Sequence, residues 1–334
     1  MTTRVSVVLP VYNGEKFIAL SMNSILNQTF KDFEFIIIND GSTDDTRNII
    51  QSYCDSRISI LDNEKPQGIA ASLNLGIKQA LGEIIVRQDA DDISLPTRFE
   101  KQVDYLNTHP EVGVLGTWVR MINENGNFIR EEKKYTDHTM IEWGSLFGCQ
   151  MIHPSIAMRK GLVLEAGGYR PYETEDYDLW ARLFEKTCFA NLPESLLLYR
   201  RHLLSKTIHA PEIHQEHTFL VLNYLRKIYL GRELSLDEMR AIEKARSGEL
   251  QNSALDVVNI SDIIVELTLA YLNRKNLSPN DILKIKHYSA ELLFFLSYCN
   301  YKSYRSEAHY AFRKAISFNS RLLYRRSALR IAFG

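Results

Sequence analysis

The chain has 334 residues, with 40 Lys and Arg against 41 Asp and Glu, for a formal net charge of -1. That length allows one large domain with an appendage, and the near-neutral balance leaves no global basic field for nucleic acid. Four scattered cysteines (Cys54, Cys149, Cys188 and Cys299) show no metal-ligand spacing. No apolar run is long enough to span a bilayer, and the start Met1-Thr2-Thr3-Arg4 is no signal peptide. These features predict a reduced, cytoplasmic protein.

In chain order, Val5-Ser6-Val7-Val8-Leu9-Pro10-Val11 reads as a buried strand that turns at Tyr12-Asn13-Gly14. A second strand over residues 33–38 ends in Asn39-Asp40-Gly41. A third, over 58–61, leads to Asn63 and, after Lys65-Pro66-Gln67, to Gly68. Helices are predicted over residues 15–26, 44–53 and 70–80. The strand Ile84-Ile85-Val86 then runs through Arg87 into Asp89-Ala90-Asp91-Asp92. Four alternations of strand and helix predict an α/β protein with a doubly wound parallel sheet. Ligands of such sheets bind at the carboxyl ends of the strands. Asn13, Asp40, Asn63 and Asp89 should therefore gather at one edge.

Asp89 and Asp91 stand at i and i+2 where the fourth strand ends, so both carboxylates can face one side. A hard divalent cation takes such oxygen ligands and keeps positions free for phosphate oxygens. The alternative is an acidic turn capping the helix that begins near Pro96; Asp92 is assigned to that capping role.

After residue 210 glycines thin out and strand signals stop. Helices are predicted over residues 219–229, 235–244, 261–272, 281–298 and 306–318. The chain thus divides into residues 1–208 and an all-helical extension, 209–334. From residue 301 onward there are eight basic residues and one acidic, Glu307, with Leu322, Leu323, Leu329, Ile331 and Phe333 interleaved. That tail suits an anionic membrane surface, with a solvated helix end as the alternative.

The blocks "VSVVLPVYNGE", "FEFIIINDGSTDDT", "PQGIAASLNLGIKQALGEIIVRQDADDISLPTRFEKQVDYL" and "TEDYDLWARL" together resemble the family 2 glycosyltransferases over roughly residues 3–205. These are inverting enzymes of the GT-A (Rossmann-like nucleotide-diphospho-sugar transferase) fold, and the resemblance runs to bacterial enzymes of surface polysaccharide synthesis. It implies a nucleotide-binding half over 1–92 and an acceptor-side half over 93–208. The donor implied is a nucleotide-diphosphate sugar, usually UDP-linked, and the acceptor an oligosaccharide or lipid-linked saccharide. Asp40 would read the nucleobase, with Pro10, Tyr12 and Glu15 lining the base and ribose pocket and Gly68 and Asn74 belonging to the same donor site. Where similar chains carry an Arg before that Asn, this one has Leu73, and Arg87 would substitute. Asp89 would bond the ribose and Asp91 would hold Mn²⁺ or Mg²⁺, with His202 as a further ligand. Arg200 or Arg201 would neutralise phosphate, Asp176 would act as base, Glu175 would orient the acceptor and His153 would border its pocket.

Two other classes remain open at the level of sequence. A sugar-1-phosphate nucleotidyltransferase would want a Gly-rich, Arg- and Lys-bearing loop after the first strand, where "PVYNGEKF" stands. A non-catalytic sugar- or nucleotide-binding module would be expected to lack an acid among Asp89, Asp91 and Asp176.

Overall fold

The computed structural model describes residues 5–202, 211–239, 242, 254–301 and 303–324. Four parallel strands, β1 (Val5–Val11), β2 (Phe33–Asn39), β3 (Ile58–Asp62) and β4 (Ile84–Arg87), alternate with helices α1 (Ile18–Leu26), α2 (Thr46–Gln51) and α3 (Ile69–Gln79). The consecutive apolar residues of β1, β2 and β4 are nearly all fully buried, as expected of parallel strands covered on both faces.

The chain continues through β5 (Ile93–Ser94), α4 (Arg98–Thr108), β6 (Val112–Asn123), β7 (Phe128–Glu132) and α5 (His138–Gly144). It then forms β8 (Ala157–Arg159), α6 (Lys160–Glu165), α7 (Glu175–Leu183) and β9 (Cys188–Arg201). The sheet order is β3-β2-β1-β4-β8-β6-β9-β5, with β7 paired to β6. Only the β3-β2-β1-β4 portion is parallel throughout. β8 runs antiparallel to both β4 and β6, so the whole sheet is mixed. The register sets Val11 beside Asn39 and Asn39 beside Asp62, which gathers the polar strand ends at one edge as expected.

The chain divides into two compact units. One comprises Met1–Glu142 and Cys149–Thr218; the other comprises Trp143–Gly148 and Phe219–Gly334. Sequence pattern set the change at residue 208, whereas the structure keeps the first turns of α8 (Pro211–Leu230) with the α/β unit. The helical unit adds α9 (Ala254–Arg274), α10 (Pro279–Asn300) and α11 (Arg305–Phe318). Ser278 caps α10, its Oγ accepting the Asp281 amide at 3.1 Å, and Pro279 opens the first turn. Leu322, one of the apolar residues interleaved in that tail, is buried. Residues 325–334, which carry three of the tail's eight basic residues, lie outside the described residues, as do 240, 241, 243 and 244 of the helix expected over 235–244.

Candidate active site

The loops leaving β1 and β2 are interlocked by side-chain to backbone bonds. Asn13 adopts a left-handed conformation, with φ of 51°. Its Oδ1 accepts the Thr43 amide at 2.8 Å, while its own amide donates to Ser42 Oγ at 3.0 Å. Glu15 accepts the Asp45 amide at 2.9 Å, and the Glu15 amide donates to Asp44 at 3.1 Å. Asp40 is buried; its carboxylate accepts Asn63 Nδ2 at 2.7 Å and the amides of Gln67 and Gly68 at 2.9 Å each. A carboxylate offers about four acceptor positions, so one is left for an incoming N–H. Gly68 holds φ of +86°, which only glycine adopts cheaply, and leads directly into α3. Pro10 is buried in β1, and Tyr12, 53% exposed, stands open beside these loops.

Below this edge, the acidic loop after β4 is built on buried polar groups. Arg98, fully buried at the start of α4, donates to the Arg87 carbonyl at 2.9 Å, Gln88 Oε1 at 3.0 Å and Ser94 Oγ at 2.9 Å. Gln88 Nε2 in turn donates to the carbonyls of Asp89 and Asp92. Asp92 does not cap a helix. Thr97 occupies the N-cap of α4, and Asp92 is fully buried, its Oδ1 accepting the Arg200 amide at 2.8 Å. The position was assigned to capping because acids after strands commonly cap; the loop instead turns it inward to fasten β9.

Oxygens of Asp89, Asp91 and Asp92 lie within 4.8 Å of one another. Asp91 Oδ2 is 2.8 Å from His202 Nε2, and the His202 ring lies 5.1 Å from that of Phe17. Burial and the charge of Asp89 raise the Asp91 carboxyl pKa against the opposing pull of His202; Asp92 is pushed up further, by burial and then by both neighbours. Asp92 Oδ2 has no hydrogen-bond partner among the described residues. Carboxylates crowded at raised pKa, with one imidazole in reach, fit a divalent cation such as Mn²⁺ or Mg²⁺ bound by oxygen and one nitrogen.

Arg87, buried, forms an ion pair with Asp89, and its guanidinium is held still more firmly protonated by the charges of Asp89 and Glu175. Arg200 is mostly committed to the fold. Its Nε donates to the Asp91 carbonyl at 2.9 Å and its Nη1 to the carbonyls of Asn123 and Glu124, and the guanidinium packs 4.6 Å from the Phe17 ring. The neighbouring Arg201 is exposed.

A cavity of about 530 Å³ joins these groups to the opening of α7. Its lining brings together Arg87, Asp89, Asp91, His153, Glu175, Asp176, Arg200 and Arg201, contributed by four separate stretches of chain. Asn74 is absent from the lining: Nδ2 donates to the Tyr169 carbonyl and Oδ1 accepts the Tyr169 amide, both at 2.8 Å. That pairing fixes the Gly167-Gly168 turn, where both glycines have positive φ, and a Cβ on Gly168 would meet Asn74 Oδ1 at 2.5 Å. Arg182 braces the same turn from α7, donating to the Gly168 carbonyl at 2.8 Å and to Asp178 at 2.7 Å. His153 Nε2 pairs with Tyr169 Oη at 2.9 Å, and its Nδ1 stands 3.6 Å from buried Glu175. Asp176 accepts the Tyr177 amide at 2.7 Å. Burial raises the Asp176 carboxyl pKa; the Tyr177 amide, Arg87 and His214 oppose the rise without cancelling it. A helix N-terminus alone would lower it, and burial outweighs that effect here.

Sequence reading missed Phe17, Arg98, Tyr169 and His214. Tyr169 and His214 belong to segments with no periodic signal, and Phe17 and Arg98 look like ordinary helix-face residues until β9 is placed beside them.

A model of "Glycosyl transferase family 2" matches residues 6–164. An O-antigen biosynthesis glycosyltransferase, WbnJ of Escherichia coli, is 36% identical over 238 residues, covering 69% of this chain and 92% of that protein. The chain belongs to glycosyltransferase family 2. The amylovoran biosynthesis glycosyltransferase AmsE of Erwinia amylovora is 30% identical over 201 residues, or 58% of this chain and 75% of the relative. Among solved structures, S. aureus TarS 1-349 in complex with UDP-GlcNAc aligns with a TM-score of 0.58 at 18% identity, over 96% of this chain and 93% of that one. The fold is accordingly GT-A with a helical C-terminal region. Among the described residues no helix is long and apolar enough to cross a membrane.

Proposed function

We propose that this family 2 member is an inverting transferase that moves a sugar from a nucleotide-diphosphate donor, UDP-linked, to a saccharide or lipid-linked saccharide in surface polysaccharide synthesis. The observation that carries the mechanism is that Asp91, Glu175 and Asp176 line the same cavity. Residues 1–92 would bind the nucleotide and 93–208 the acceptor. Asp40 would use its spare acceptor position on the base N–H, beside Pro10, Tyr12, Glu15 and Gly68, and Asp89 would bond the ribose. Asn74 would serve this donor site from behind, by holding the Gly168-Tyr169 turn. Asp91 and His202 would hold Mn²⁺ or Mg²⁺, which stabilises charge on the departing diphosphate. Arg201, exposed where Arg200 is committed, is the better placed of the two for phosphate.

On the acceptor side, Asp176 takes the hydroxyl proton as the oxygen bonds to the anomeric carbon. The bond from that carbon to the diphosphate breaks, and its electron pair leaves with the nucleotide. Glu175, 3.6 Å from His153, orients the acceptor. The raised pKa of Asp176 suits a base, because a carboxylate with greater proton affinity takes the hydroxyl proton more readily. WbnJ and AmsE are named for O-antigen and amylovoran biosynthesis, which supports the polysaccharide reading.

The test is transfer by Asp176→Asn, with donors screened as UDP- and GDP-linked sugars: kcat should fall about 10²–10⁴-fold with donor binding kept. The product should carry inverted anomeric configuration by NMR. Retention of configuration, or donor binding lost together with kcat, would defeat the scheme. The basic tail supports a place on the cytoplasmic face of the inner membrane. Arg325→Gln/Arg326→Gln should then sediment less with phosphatidylglycerol vesicles, and equal binding would remove the membrane role.

A further inference from the structure

The opening turns of α8, up to Thr218, belong to the α/β unit rather than to the helical one. They are fastened to the loop that delivers Asp176: His217 Nδ1 accepts the Glu173 amide at 2.8 Å, and the His217 ring packs 5.2 Å from that of Tyr172. His214 precedes His217 by three residues, so the two share a helix face. It is half-buried and lines the cavity together with Glu173, Glu175 and Asp176. The ionisable groups facing Asp176 are Arg87 from β4, Tyr169 from the preceding loop and His214 from α8, with Glu173 and Glu175 beside it in the chain. Arg87 is already engaged by Asp89.

We propose that His214 is a positioning residue for the base: from the acceptor-side wall of the cavity that both residues line, it keeps Asp176 ready for the hydroxyl it deprotonates. This rests on Asp176 being the base. Burial raises the pKa of that carboxyl, and a base that already carries a proton accepts no other. An opposite charge across the cavity favours the ionised form. The same wall is built by a helix that sequence pattern assigned to the C-terminal extension, so α8 contributes to the site as well as leading away from it.

The experiment compares kcat against pH for the parent, His214→Gln and His214→Lys, using the donor that the screen selects. In His214→Gln the acidic limb should move up by about one pH unit, a rate loss of about tenfold below the limb, with the plateau and donor KM kept. His214→Lys should restore the limb. Parent and His214→Gln limbs that coincide would overturn the proposal, as would a shift that His214→Lys leaves uncorrected while melting is unchanged. Should His214→Gln fold poorly, His214→Asn serves the same comparison. If Asp176→Asn keeps its kcat, the base assignment and this inference fall together. If Asp176→Asn is inactive and the limbs coincide, this inference alone falls.

Discussion

The two units of this chain bury polar groups in opposite ways. In the helical unit, buried Ser261, Thr268 and Ser289 each donate to the carbonyl four residues earlier in their own helix. Such bonds satisfy the hydroxyl locally and add little. The α/β unit buries ionisable groups instead: Arg87, Asp92, Arg98, Glu175 and Arg200. Charges are expensive to desolvate unless paired and hydrogen-bonded. The first unit accepts that cost around one cavity, where perturbed carboxylates can do chemistry; the second is organised for packing. Among the described residues Arg226, which donates to the Leu146 carbonyl at 2.9 Å, is the exception within the helical unit.

The sharpest test of this contrast lies in the acidic loop. Asp91→Asn should abolish transfer, and EDTA should do the same to the parent, yet the metal-free variant should melt no lower than the metal-free parent. The reason is that ionising Asp91 and Asp92 inside the fold is unfavourable. Their folded pKa values are raised, so stability from these groups is greatest below the unfolded value, about 3.9, and declines as pH rises through the folded ones. Full turnover in EDTA, or a large drop in melting temperature on Asp91→Asn, would mean that the cluster is structural.

A smaller effect separates the two kinds of buried polar group directly. Arg98→Met removes the donor to the Arg87 carbonyl and to Ser94 Oγ and one of the two donors to Gln88 Oε1, so urea unfolding should show a loss of about 3 kcal/mol. Ser289→Ala in the helical unit should cost within about 1 kcal/mol and leave transfer untouched. Thr268, its neighbour at 2.9 Å, keeps its own bond to Ile264. Equal losses at both positions would erase the distinction between the units.

Much of the site was legible in the chain because its motifs sit where strands end. Runs such as Ile36-Ile37-Ile38 dictate buried strands, and period and turn chemistry place Asp40, Gly68 and Asp89 at their exits. The helix expected over 281–298 was legible from its periodicity, and the structure starts it two residues earlier, at Pro279 behind the Ser278 cap. The antiparallel β8 and the long β9 were not legible, since their pairing depends on partners far along the chain.

By itself, then, the sequence determined the alternating nucleotide-side strands and helices, the family, and the identity of the carboxylates at the strand ends and the start of α7, all set by local pattern. Tertiary structure alone decided how those side chains are used. Asp92 points inward because Arg200 offers it an amide from 108 residues away. Asn74 holds a turn because Tyr169 lies against it, 95 residues on. Burial, rather than the helix dipole, sets the pKa direction of Asp176. Desolvation and charge pairing depend on which groups are brought close in space, and spacing along the chain does not record that.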